Sequence, residues 1–258
     1  MGICNLTNDS FSDGGLHNKT GDALKHIKNM LKGGANIIDI GAESTRPGSN
    51  PISYQKEISK LKPILRNLPK NKFIISIDTN KIETQEYALK NGAHIINDIF
   101  GGSEDLFYLI KKYNSGLIIM HTPAPPKIMQ KKINHYNDII KDIQKFFRRK
   151  IKKINKYRIS HKKIWLDPGI GFGKNLKQNL LIMKEIKKFR LDNCGLLLGS
   201  SRKSWIQKID NSKVENRLGG SIASAIYSVS QNVDILRVHD VFETQQAINI
   251  YDRIKCSQ

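Results

Sequence analysis

The sequence predicts a closed (β/α)8 barrel of the TIM type, built as a single domain over residues 1–258. Short apolar, β-rich runs alternate with longer amphipathic stretches from one end of the chain to the other, eight of each. Every apolar run closes on a polar or charged group. No Pro/Ser/Gly linker or sequence repeat divides the chain, and α/β barrels commonly reach this length as one domain. An open doubly wound sheet is the alternative for the same alternation.

The predicted strands are residues 1–5, 36–40, 73–77, 94–97, 116–120, 163–166, 195–198 and 234–238. Their near-continuous hydrophobicity suits strands covered on both faces, as crossover helices cover a parallel sheet. Between them, apolar residues recur three and four apart, as Leu24, Ile27, Met30 and Leu31 do. A second stripe runs through Ile139, Ile143, Phe146, Phe147, Ile151 and Ile154. Gly33-Gly34 and Asn91-Gly92 suit left-handed helix ends ahead of the next strand.

Apolar residues make up 39% of the chain, enough for a sizeable core, and the formal net charge is +20. Most of the lysines fall on predicted helix faces away from the motifs, so the charge reads as a solvated exterior around an anion-binding site. A basic RNA-binding module would instead use residues 145–163 with Phe146, Phe147 and Tyr157. Those aromatics lie at helical spacing on an apolar stripe, which favours core over stacking platforms. Cys4, Cys194 and Cys256 form no metal-ligand or redox spacing, and a reducing cytoplasm suits them. With neither a signal segment nor a bilayer-length apolar run, the sequence reads as a soluble protein.

In α/β barrels the chemistry sits where the strands end. Here strand one leads into Asn5 and a Gly-, Ser- and Asp-rich loop, strand two into Asp39 and residues 41–48, and strand three into Asp78-Thr79. The next three end in Asn97-Asp98, His121 and Asp167-Pro168-Gly169, and the last two in Ser201-Arg202-Lys203-Ser204 and Arg237-Val238-His239-Asp240. One such residue is readily a helix cap. Eight of them on one face make an active-site rim. Asp78, Asn97 and Asp167 suit a flat heterocycle rich in N–H donors. Lys203, Arg237 and His239 bring positive charge suited to a phosphate or diphosphate. Asn5 and the acidic loop behind it suit a magnesium ion held on that diphosphate through oxygen ligands. The glycines of residues 169–174 match neither a Walker loop nor a dinucleotide fingerprint and read as backbone room.

These motifs together resemble the dihydropteroate synthase family. Asn5-Leu6-Thr7 with Asp9-Ser10-Phe11-Ser12-Asp13-Gly14-Gly15 resembles its first signature, and residues 41–48, ending Glu43-Ser44-Thr45-Arg46-Pro47-Gly48, its second. The likeness continues in order through Ile77-Asp78-Thr79, Asn97-Asp98, Met120-His121, Asp167-Pro168-Gly169, Gly171-Phe172-Gly173-Lys174 and the two final motifs. It implies a homodimeric, cytoplasmic transferase of folate biosynthesis that joins (7,8-dihydropterin-6-yl)methyl diphosphate to p-aminobenzoate and releases diphosphate. By matching position, Asp78, Asn97, Asp167 and Lys203 would bind the pterin. Asn5 would bind Mg2+, and Arg237 and His239 the diphosphate. Thr45, Arg46, Pro47, Phe172 and Ser204 would border p-aminobenzoate, with Thr45 also reaching the pterin. Asp78, Asp167, Lys203, Arg237 and His239 are the candidate catalytic residues.

Asn8 stands where the family has Pro, Ala42 where Gly is common, and residues 122–126 rewrite the fifth loop. The chain opens on strand one without the leader that caps the barrel's bottom in the family. That is expected to lower stability or to mark a start further upstream. A pterin-dependent methyltransferase barrel is the nearest rival, sharing the barrel and much of the pterin pocket. It would not need Thr45-Arg46-Pro47 together with the Ser201–Ser204 motif.

Overall fold

The computed structural model describes residues 1–6, 16–44, 49–69, 72–125, 127–129 and 136–257. Among them, eight parallel strands follow one another around a single sheet in chain order. These are β1 (Gly2–Asn5), β2 (Ile37–Gly41), β3 (Ile74–Asp78), β4 (Ile95–Asp98), β5 (Gly116–Met120), β6 (Ile164–Asp167), β7 (Gly195–Leu198) and β8 (Ile235–Leu236). The sheet closes on itself: Ile3 N donates to Val238 O and Val238 N to Met1 O, each at 3.0 Å. Closure excludes the open doubly wound sheet.

The helices are α1 (Leu16–Lys32), α2 (Tyr54–Asn67), α3 (Ile82–Lys90), α4 (Glu104–Tyr113), α5 (Ile139–Asn155), α6 (Leu176–Lys184), α7 (Ser204–Asp210), α8 (Leu218–Ser230) and α9 (Val241–Cys256). The sequence pattern predicts eight. The extra one is α7, a short helix that opens at Ser204, directly behind the Ser201-Arg202-Lys203 turn. Every predicted strand lies within a residue or two of its place. In the predicted 234–238 run, Ile235 and Leu236 form the ladder with β7, and Val238 pairs separately with Gly2 of β1.

Local chemistry explains where helices start and stop. Ser53, Ser103, Asp138 and Asn175 cap α2, α4, α5 and α6 through side-chain oxygens that accept first-turn N–H groups. Gly34 and Gly92 have φ of +100° and +94°, the left-handed conformation expected at those helix ends.

The main core lies between sheet and helices and includes Ile27 and Met30 of α1 and Ile143, Phe147, Ile151 and Ile154 of α5. A separate cluster of Ile37, Ile95, Ile118, Leu197 and Ile235 plugs the barrel lumen beneath the rim. The aromatics of the basic stretch belong to the packing. Phe147 is fully buried, Phe146 meets the His121 ring edge-on, and Tyr157 meets Phe107 edge-on. None of the three is a free stacking platform. No helix among the described residues is long and apolar enough to cross a membrane.

Candidate active site

Strand register assembles the rim. Asn5 pairs with Gly41, Gly41 with Asp78, and Asp78 with Asn97, so four strand ends stand side by side at one level. Gly41 makes the row usable. A β-carbon there would lie 3.4 Å from Asn5 Oδ1 and 3.5 Å from Asp78 Cβ, so a longer side chain would crowd the space between them. On the far side of the barrel, Met120 pairs with Asp167.

One carboxylate ties this rim together from below. Asp39 has no exposed surface, and its Oδ1 accepts from Ser76 Oγ at 2.6 Å. Its Oδ2 accepts from Asn97 Nδ2 at 3.1 Å and from Arg237 Nε at 2.6 Å. Arg237 also donates through Nη2 to Asp78 Oδ2 at 2.8 Å. Burial alone would lower the guanidinium's pKa, but Asp39 and Asp78 hold it above the ordinary arginine value. Burial pushes the Asp78 carboxyl up to about 7, against the pull of Arg237. In the sequence, Asp39 is only a polar strand end with no role attached. Its signal, an acid in the middle of an apolar strand, acquires meaning only when Ser76, Asn97 and Arg237 converge on it.

Asp167 is buried, and Gly169 N donates to its Oδ1 at 2.8 Å. Burial pushes this carboxyl upward, opposed by Lys203. Lys203 Nζ donates to Ile170 O at 2.6 Å and lies 4.7 Å from the centre of the Phe172 ring, a cation–π distance. Withdrawal from water lowers its amine to about 8, with Asp167 opposing. Asp167, Lys203 and Phe172 therefore form one compact group across the mouth from Asp78 and Asn97.

His239 Nδ1 lies 3.1 Å from Ser201 Oγ. Burial, with Arg237 beside it, lowers its pKa to about 4. At neutral pH it is an uncharged imidazole, so the positive charge expected here from Lys203, Arg237 and His239 rests on the first two. Ser204 opens α7 and is exposed. Arg202, at the centre of its motif, points away from the chemistry. Its Nε donates to Asp240 Oδ2 at 2.8 Å, locking the β7 turn to the start of α9. Thr45, Arg46 and Pro47 lie outside the described residues, as do residues 7–15 with Asn8.

For magnesium, the described residues contain no cluster of three or more His, Cys, Asp or Glu side chains. What they offer is the Asn5 amide oxygen at the rim, beside Gly41. One neutral oxygen ligand fits an ion that keeps several waters and binds mainly through substrate phosphates.

The fold and rim are those of a (β/α)8-barrel enzyme with buried acidic and basic groups gathered at its strand ends. The family model described as pterin binding enzyme matches residues 1–239. The dihydropteroate synthase of Escherichia coli K12 is 41% identical over 255 residues, covering 98% of this chain and 90% of that protein. The Yersinia pestis dihydropteroate synthase, solved with a sulfonamide drug complex, is 38% identical with a TM-score of 0.91, covering 99% and 94% of the two chains. The Xanthomonas albilineans enzyme, solved with 4-aminobenzoic acid, is 29% identical with a TM-score of 0.92 over 100% and 93%. The chain belongs to the dihydropteroate synthase family, transferases of folate biosynthesis.

Proposed function

We propose that the chain condenses (7,8-dihydropterin-6-yl)methyl diphosphate with p-aminobenzoate, and that the residues of the rim divide the work as follows. The observation that carries the assignment is one strand-end opening with buried Asp78 and Asn97 beside Arg237 on one side and buried Asp167 with Lys203 and Phe172 on the other. Asp167, Asn97 and Asp78 bind the pterin edge, and Lys203 accompanies them. Arg237 keeps its remaining N–H groups for the diphosphate, since Asp39 and Asp78 occupy Nε and one proton of Nη2. Neutral His239 adds a hydrogen bond rather than a charge. Thr45, Arg46, Pro47, Phe172 and Ser204 border p-aminobenzoate.

The bond from the pterin methylene to the diphosphate oxygen breaks, and a bond from that carbon to the arylamine nitrogen forms. The electron-rich ring stabilises positive charge on the methylene, and the amine's proton passes to solvent. No covalent nucleophile is needed, so the protein's contribution is electrostatic and positional. Magnesium, held by Asn5, would neutralise charge on the departing diphosphate. Formation of dihydropteroate from the two substrates with magnesium tests the assignment. A purified, folded enzyme that forms none would refute it.

A homodimer is part of the same reading. It is supported by Phe242, Ile250 and Ile254 of α9, which are 62%, 58% and 69% exposed, and by Tyr227 on the neighbouring α8. Sedimentation of the wild type as a dimer and of Phe242→Glu as a monomer would agree with it, and a wild-type monomer would not. Cytoplasmic placement is supported by three cysteines free of disulfides.

A further inference from the structure

One buried charge stands outside the chemistry above. Lys174, between β6 and α6, is only 2% exposed. Its Nζ donates to Gly169 O at 2.9 Å, to Phe172 O at 2.9 Å and to His121 O at 3.3 Å. An ammonium group has three N–H donors and no acceptor, and here three carbonyl oxygens converge on it. Without a donor among them, these dipoles would face one another unsatisfied in a site withdrawn from water.

The carbonyls join the end of β5 to the turn after β6, and that turn lies between Asp167 and Phe172. Gly169 is its centre. Gly169 N holds Asp167 Oδ1, Gly169 O also accepts from Phe172 N at 3.1 Å, and its φ of +72° is left-handed. A β-carbon on Gly169 would fall 2.1 Å from His121 O, so strand end and turn are already in closest approach. The charged groups facing the amine are Asp167 and Lys203.

We propose that Lys174 is a positioning residue for the pterin site. Its ammonium gathers the three carbonyls, sets the turn over residues 169–172, and through the Gly169 N–H orients the Asp167 carboxylate. It touches no substrate itself. The proposal rests on Asp167 as the pterin's acceptor, so the experiment measures that separately. Affinity for 6-hydroxymethylpterin is determined by calorimetry for the wild type, Lys174→Met, Asp167→Asn and the double variant, with thermal melting of each.

Lys174→Met is expected to weaken pterin binding at least tenfold. It should also raise KM for the pterin diphosphate by more than it lowers kcat. The double variant should bind no worse than Asp167→Asn, because Lys174 acts through that carboxylate. A merely structural lysine would make the two losses multiply. Unchanged affinity in Lys174→Met, or multiplied losses in the double variant, would overturn the proposal. Wild-type affinity in Asp167→Asn would instead remove the pterin assignment on which it stands. Should Lys174→Met not fold, Lys174→Gln, which keeps two N–H donors, is measured in its place. An intermediate loss is then expected, and full affinity would overturn the idea.

Discussion

At the scale of single residues, the site is governed by buried charges that hold one another. Asp39 serves Ser76, Asn97 and Arg237 at once. Asp39→Asn turns an acceptor into a donor facing donors, at a cost of about 1–3 kcal/mol for the groups left unpaired. We expect a lower urea midpoint and a loss of diphosphate affinity of roughly tenfold, read by calorimetry. Retention of both would show that Arg237 is held by Asp78 alone.

At the scale of elements, the turn after β6 is the tightest piece of the rim and Gly169 its least replaceable residue. Gly169→Ala meets both a left-handed φ and a contact of 2.1 Å with His121 O, so backbone must move. We expect destabilisation of about 2 kcal/mol or more together with weaker pterin binding, since Asp167 hangs on the Gly169 N–H. Wild-type values for both would show that the turn is pliant. The glycine-rich run of residues 169–174 reads correctly from sequence as backbone room. What the sequence conceals is that Lys174 ends the run inside the protein, because the spacing of a lysine does not show which carbonyls it will meet. The Ser201–Ser204 motif divides in a similar way. Lys203 faces Phe172 and Ile170, while Arg202 is spent on Asp240.

At the scale of the whole molecule, a net charge of +20 invites an explanation by nucleic acid, and the packing argues against it. The aromatics of α5 and the segment after it face the core, while Lys152 and Lys153 are exposed on the helix surface. Arg237→Ala should abolish most diphosphate binding, measured by calorimetry. Lys152→Ala and Lys153→Ala should leave turnover within about twofold, because exposed charges are screened by salt. Equal losses in all three would restore the diffuse-charge reading.

By itself, the sequence determined the alternation of strands and helices and the polar rim, and it pointed to a barrel whose closure over an open sheet was decided by the hydrogen bonds of Ile3 and Val238. Each rests on a local pattern: buried strands are apolar throughout, helices repeat every three to four residues, and barrel chemistry collects at strand ends. The motifs at those ends were enough to indicate the family. Only the tertiary structure decided which polar groups would hold one another. Asp39 and Arg237 are separated by 198 positions, yet their side chains meet at 2.6 Å because β8 returns beside β1 as the barrel closes. The neutrality of His239 and the three carbonyls around Lys174 have the same origin. Both depend on how completely water is excluded and on what the surrounding strands place nearby, and these are properties of the closed barrel that no stretch of sequence carries alone.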